Sequence, residues 1–337
     1  MSAHRFDHRL WASAQLPLVD GCPIRARSMR IVFFGSADFG LNTLESVIGA
    51  GHEVVGIVST PERPQGRGRK MLPSPVVRHA RSAGLEPVYT PDDLQDPQFV
   101  AALRDLSPDV FVVVAYRILP EAVFEIPQQG TINVHASLLP KYRGPAPIQR
   151  AIENGETETG VTIFRIDKGI DTGVVLLQRA VPIADDETTP QLYERLSALG
   201  GEAMVTVLEQ LAQGTAEQRV QDSSAATRAP KLRKEEAQID WRLPSRAIYN
   251  RIRAFKPFPG TWTLCDGKRL GVEWAEPVAC DDDVPVGTVM AAGDAGIVVR
   301  CASGCLRITQ VRPEGRNSMT AGDFLRGTAM LQGAKLG

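Results

Sequence analysis

Short apolar runs rich in β-branched residues alternate with segments of helical period from residue 29 to about 214. RIVFF (30–34) reads as a strand closed by Gly35, and FGLNTLESVIGAG follows as an amphipathic helix ending at a Gly51 cap. EVVGIV (53–58), PVYT (87–90), the fully apolar DVFVVVAY (109–116) and GTINVHA (130–136) are further strands. SPVVRHARSAG and DPQFVAALRDL read as helices between them, and a third helix runs over 146–154. VTIFRI and GVVLLQRAVPI make a hairpin pair, and QLYERLSALGGEAMVTVLEQLAQG is a long closing helix. Strands alternating with helices predict an α/β domain over 29–214, wound on both faces of a mostly parallel sheet.

Between 215 and 230 the pattern lapses into the polar, small-residue sequence TAEQRVQDSSAATRAP, which reads as a linker. From 231 to 337, strands such as GTWTLC, RLGVEWAEPV, GTVMAAG, GIVVRC and CLRITQVRP recur at the spacing of a small β-barrel, with one helix in PSRAIYNRIRAF. Residues 1–28 show neither an uninterrupted apolar core nor a period, and Met29 stands directly before the first strand. This leader is expected to be a disordered extension or a misassigned start.

At 337 residues and 43% hydrophobic content the chain suits two globular domains, and no apolar stretch approaches bilayer-spanning length. The five cysteines (Cys22, Cys265, Cys280, Cys301, Cys305) form no CxxC and no cluster with histidine, so neither a disulfide nor a zinc site is expected, and a reducing cytoplasm fits. The net charge of −1 hides an asymmetry: 16 basic against 12 acidic residues from Lys231 onward, and 22 against 27 before it. An acidic partner would be met by local basic patches.

The predicted winding is Rossmann-like, but the fingerprint is not. In FFGSADFG, Gly35 and Gly40 are five apart, no GxGxxG passes through them, and neither Lys-Ser nor Lys-Thr follows. This disfavours a nicotinamide or nucleoside-triphosphate enzyme and leaves a strand-to-helix turn whose helix start can hold an anion.

INVHASLLPKYRGPAPI (132–148) carries Asn133 and His135 two apart at a strand end, hence on one face and roughly 6.5–7 Å apart. An amide that donates and an imidazole that donates or accepts suit a carbonyl oxygen that turns negative during acyl transfer. No serine or cysteine nucleophile is paired with the histidine, so the nucleophile must come from the substrate. Asp171, in a turn bracketed by Gly169 and Gly173, supplies a carboxylate able to orient His135 and pass protons through water. Taken singly, these residues also fit a capped strand end and an ordinary aspartate turn; the set of three points to chemistry.

INVHASLLPKYRGPAPIQRAI followed by ETGVTIFRIDKGIDTG resembles the folate-dependent formyltransferase family, and the likeness extends over nearly all of 29–327. The resemblance implies transfer of a formyl group from 10-formyltetrahydrofolate to the α-amino group of methionine esterified to initiator tRNA, with no metal. It implies a catalytic trio of Asn133, His135 and Asp171, a folate-binding segment Ser137, Leu138, Leu139 and Pro140, and an OB-like tRNA-binding C-terminal domain. AYRILP (115–120) is one residue shorter than the family's AYGxILP, and Arg117, Ile118 and Leu119 of this segment are expected to line the pterin pocket. A glycinamide ribonucleotide or sugar-nucleotide acceptor would share the trio, and a folate- or RNA-binding protein without catalysis is the reading from another class. Nothing demands more than a monomer.

The basic loop STPERPQGRGRKMLPSP (59–75) sets Arg63, Arg67, Arg69 and Lys70 against Glu62 alone and suits a phosphate backbone. The resemblance matches Arg67 to the arginine that enters the acceptor end of the tRNA. Lys231, Arg233, Lys234, Arg251, Arg253 and Lys256 are expected to form a second phosphate-facing surface.

Overall fold

The computed structural model describes residues 28–65, 70–280, 283–328 and 332–337. The expected leader falls on 1–27, and Arg67 and Arg69 fall on 66–69, outside the described residues.

The first unit comprises β1 (Arg30–Gly35), α1 (Phe39–Gly49), β2 (Glu53–Val58), a hairpin of β3 (Arg63–Gln65) and β4 (Lys70–Leu72), α2 (Pro75–Ala83), β5 (Val88–Tyr89), α3 (Pro97–Asp105), β6 (Val110–Val114), α4 (Glu121–Phe124), β7 (Thr131–His135), α5 (Pro147–Glu153), β8 (Glu158–Arg165), β9 (Val175–Pro182) and α6 (Thr189–Gln213). Its sheet has the order β5-β2-β1-β6-β7-β8-β9, parallel as far as β7 and antiparallel at β8 and β9.

Strand parity builds the two faces. Ile31, Phe33 and Val112 pack with Leu44 of α1 and Leu196 of α6, whereas Val32, Phe34 and Phe111 pack with Leu103 of α3 and Val123 of α4; all are fully buried. Each such side chain contributes roughly 1.5–3 kcal/mol of burial, which is why the central strands read as unbroken apolar runs. The helix signals are local. Ser74 Oγ caps α2 by accepting from Val77 N at 3.1 Å, and Gly84 and Gly214 end α2 and α6 in left-handed conformation. Gly201 lies inside α6 because α1 passes so close that a Cβ would stand 2.9 Å from Asn42 O.

The second unit contains α7 (Ser245–Ala254), β10 (Thr261–Cys265), β11 (Lys268–Val278), β12 (Val289–Gly293), β13 (Gly296–Arg300), β14 (Cys305–Pro313), β15 (Met319–Thr320) and α8 (Ala321–Arg326). The antiparallel sheet has the order β10-β11-β14-β13-β12, with β15 on β14. Register shifts within β11 and β12 bend it around Trp241, Ile248, Val272, Ile297 and Ile308. Pairing of β11 with β14 sets Val278 opposite Cys305, so Cys280 reaches Cys305 and the two form a disulfide with Cα atoms 5.7 Å apart. This corrects the expectation of unpaired cysteines: a separation of 25 residues hides a pairing that only the strand register creates.

The contact between the units corrects a second expectation. Arg253 faces no solvent: it is 2% exposed, and its guanidinium donates to Glu187 O (2.9 Å), Ala184 O (3.2 Å) and Asn250 Oδ1 (2.8 Å). Two carbonyls of the loop before α6 and the Asn250 side chain of α7 occupy its terminal nitrogens, and its Nε is buried without a partner among the described residues, so no N–H of the fork reaches a phosphate. Arg251 likewise pairs with Glu153 (2.9 Å), and Lys256 lies over the Trp274 ring. Lys231, Arg233 and Lys234 remain exposed.

Two acidic residues at this contact are held below the ordinary carboxylate range. The hydrogen bond from Arg246 lowers Asp185; for Glu236, burial pushes upward but the hydrogen bond and charge of Arg150 (2.8 Å) outweigh it. Groups with depressed folded values contribute stability above their ordinary values of 3.8 and 4.5 and lose it as pH falls through the lower folded values. The melting temperature is therefore expected to hold from neutral pH to about pH 5 and to fall below it. In the Asp185→Asn, Glu236→Gln double variant this acid limb should flatten; an unchanged limb would remove these pairs from the account.

Candidate active site

Ile132 and Val134 of β7 point into the α1–α6 cluster, so the opposite parity turns Asn133 and His135 to the other face. There a cavity of about 760 Å³ lies over β6, β7 and β8, walled by apolar side chains such as Phe39, Leu119, Phe124 and Ile166. Asn133, His135 and Asp171 all line it.

Asp171 arrives by an unexpected route. Because β8 is antiparallel to β7, with Arg165 opposite Ile132, the β8–β9 connection leaves the sheet beside the start of β7. It is tied there by Ile166 N to Thr131 O (2.8 Å) and folds back until Asp171 Oδ2 stands 3.8 Å from His135 Nδ1. The same oxygen accepts from Gly144 N at 2.8 Å.

His135 is 6% exposed, and its Nε2 lies 2.9 Å from Tyr142 O. A carbonyl only accepts, so Nε2 carries the hydrogen and Nδ1 is the atom free to exchange a proton beside Asp171. Phe164 abuts the imidazole edge to face, with ring centroids 6.4 Å apart. Among the described residues the Asn133 amide has no hydrogen-bond partner, so its N–H groups are available to a ligand oxygen.

Tyr142 donates its hydroxyl to Glu156 Oε1 at 2.7 Å. Burial, and then Glu156 against an opposing hydrogen bond from Asn154, pushes this phenol up to about 12, so it stays protonated. Ala115, Tyr142 and Asp171 all have positive φ (49°, 62° and 55°). Such conformations persist where the surroundings over-determine them, as they do around functional sites.

Arg117, Ile118 and Leu119 line the cavity. The Arg117 guanidinium donates to Pro91 O (2.7 Å) and Asp92 O (3.1 Å), while its buried Nε has no partner among the described residues. Ser137, Leu138, Leu139 and Pro140 are not among the residues that line the cavity. Their polar groups are spent internally: Ser137 Oγ donates to Lys141 O (2.7 Å), Leu139 N to Thr162 Oγ1 (3.1 Å), and Leu139 O accepts from Gln178 Nε2 (2.8 Å). At the start of α1 the expected anion position is taken, Phe39 N donating to Tyr193 Oη at 2.8 Å. Arg63 and Lys70 are exposed on the β3–β4 hairpin. Sequence reading missed Tyr142, Gly144 and the contacts of 219–229, which enter through backbone groups or an aperiodic stretch.

Residues 29–208 match the family described as "Formyl transferase", and residues 231–329 match "Formyl transferase, C-terminal domain". The chain belongs to the formyl transferase family. Among curated members of that family, the methionyl-tRNA formyltransferase of Geobacter metallireducens is 44% identical over 310 residues, covering 92% of this chain and 99% of its own. That of Thiobacillus denitrificans is 44% identical over 311 residues, covering 92% and 100%. Two solved structures share the formyl transferase fold: WlaRD, a sugar 3N-formyl transferase (TM-score 0.62, 18% identity, 86% of this chain and 99% of that one), and HypX of Aquifex aeolicus with tetrahydrofolic acid (0.60, 20%, 88% and 47%).

Proposed function

We propose that this formyl transferase moves the formyl group of 10-formyltetrahydrofolate to the α-amino group of methionyl initiator tRNA. The observation that carries the reading is the meeting of Asn133, His135 and Asp171 at one cavity, in a chain aligned over 92% of its length with relatives that bear methionyl-tRNA in their name. The cavity is of the size that takes a folate head group.

The neutral amine attacks the formyl carbon, forming the new C–N bond while the carbonyl oxygen becomes negative. Asn133 donates to that oxygen, joined by the His135 imidazole once its Nδ1 has taken the proton that the amine loses. As the bond to the folate nitrogen breaks, the amine loses one proton and the folate nitrogen gains one, carried by His135 Nδ1 and a water beside Asp171. At 3.8 Å Asp171 is too far for a direct hydrogen bond but well placed to orient the imidazole electrostatically and to share that water. Exposed Arg63, Lys70, Lys231, Arg233 and Lys234, together with Arg67 and Arg69, supply the phosphate-facing surface, and the protein acts in the cytoplasm as a monomer.

The test offers methionyl-tRNA, glycinamide ribonucleotide and an amino-sugar nucleotide side by side with 10-formyltetrahydrofolate. Transfer to methionyl-tRNA alone is expected; preference for either other acceptor overturns the substrate assignment. Asn133→Ala should lower kcat on the order of 10²- to 10³-fold with little change in tRNA affinity, as for loss of one oxyanion donor.

A further inference from the structure

The stretch 219–229 carries no periodic signal and is exposed over most of its length, yet Gln221, Thr227 and the buried Ala229 bond it to groups that flank the cavity. Arg219 exchanges backbone hydrogen bonds with Val175 (2.8 and 2.9 Å), and farther on Arg143 N donates to Thr227 O (2.9 Å) and Ala229 N to Arg143 O (2.7 Å). The approach is close enough that a Cβ on Gly144, whose φ is +123°, would stand 2.8 Å from Ala229 O.

Two side chains of this stretch reach the residues of positive φ. Gln221 Nε2 donates to Asp171 O (3.0 Å) and Gly173 O (2.8 Å), while its Oε1 accepts from Arg143 Nη2 (2.8 Å). Thr227 Oγ1 accepts from Tyr142 N at 2.9 Å. Asp171 and Tyr142 are the residues facing the two nitrogens of His135. One segment therefore fastens both partners of one imidazole.

We propose that 219–229 is a positioning strap for the transfer reaction, with Gln221 and Thr227 as its positioning residues. It acts by holding Asp171 and the Tyr142 carbonyl in the conformations that fix the hydrogen on His135 Nε2 and leave Nδ1 toward the substrate. This rests on the role proposed above for His135. The chain beyond the strap enters the second unit, so the second unit is tied to the chemistry by covalent continuity as well as by any contact with tRNA.

The test uses the full-length chain with Thr227→Val, Thr227→Ser and Gln221→Leu, rates being expressed per folate-binding site so that unfolded protein does not count. Thr227→Val and Gln221→Leu should each lower kcat on the order of 10- to 100-fold, the scale of a misplaced catalytic group, with KM for both substrates changed little. Thr227→Ser, which keeps the hydroxyl, should restore kcat. Unchanged kcat in both variants, or a loss that appears in KM and is not restored by serine, overturns the strap. Imidazole ¹⁵N spectra read the same geometry without turnover: one Nε2–H tautomer for His135 in the unaltered chain and a mixture in Thr227→Val. Identical spectra also overturn it, whereas absence of transfer by the unaltered chain with these spectral differences intact counts against the reaction alone.

Discussion

His135→Gln is expected to reduce formyl transfer on the order of 10²- to 10⁴-fold, the range associated with a positioned acid or base, while folding and tRNA binding persist. Glutamine is chosen because its side-chain amide still supplies a donor toward Tyr142 O, now 2.9 Å from His135 Nε2, so the turn at Tyr142 keeps its partner. What disappears is a titratable nitrogen beside Asp171. Single-turnover transfer to methionyl-tRNA, together with filter binding of the same tRNA, separates the two effects. Full turnover in the variant would remove the imidazole from the mechanism, and loss of tRNA binding would show that the residue serves the architecture instead.

The second large effect concerns stability. Arg253→Met fills much of the same volume but strands the Ala184 and Glu187 carbonyls and the Asn250 amide oxygen, which the guanidinium now satisfies in a buried setting. Leaving buried acceptors unpaired costs about 1–3 kcal/mol each, so a loss of roughly 3 kcal/mol or more is expected, seen as a lowered melting transition. tRNA affinity and its salt dependence should stay near those of the unaltered chain. A phosphate-contacting arginine would behave the opposite way, weakening binding and reducing the salt slope without touching the melting curve.

That contrast shows what the amino-acid sequence carries and what it conceals. The continuous apolar runs of β1 and β6 announce strands buried on both faces, and the spacing of Asn133 and His135 announces one shared direction, because both follow from local geometry. Whether a helical arginine meets water or a neighbour depends on what the distant loop before α6 covers, and nothing near Arg253 in the chain encodes that. The same holds for Ser137 and Leu139, whose backbone groups turn toward β8 and β9, and for Cys280, which finds Cys305 only through strand register. Gln221 and Thr227 were hidden more thoroughly, since an exposed segment held by hydrogen bonds has the composition of a loose tether.

The seat of Arg253 also bears on how a large substrate is received. A guanidinium locked to carbonyls of the neighbouring unit, with Thr189 Oγ1 donating to Ala254 O at 2.6 Å beside it, does not act as a hinge. An RNA laid across both units then meets a preset span instead of jaws that swing shut, and the adjustment needed for a good fit falls to the nucleic acid.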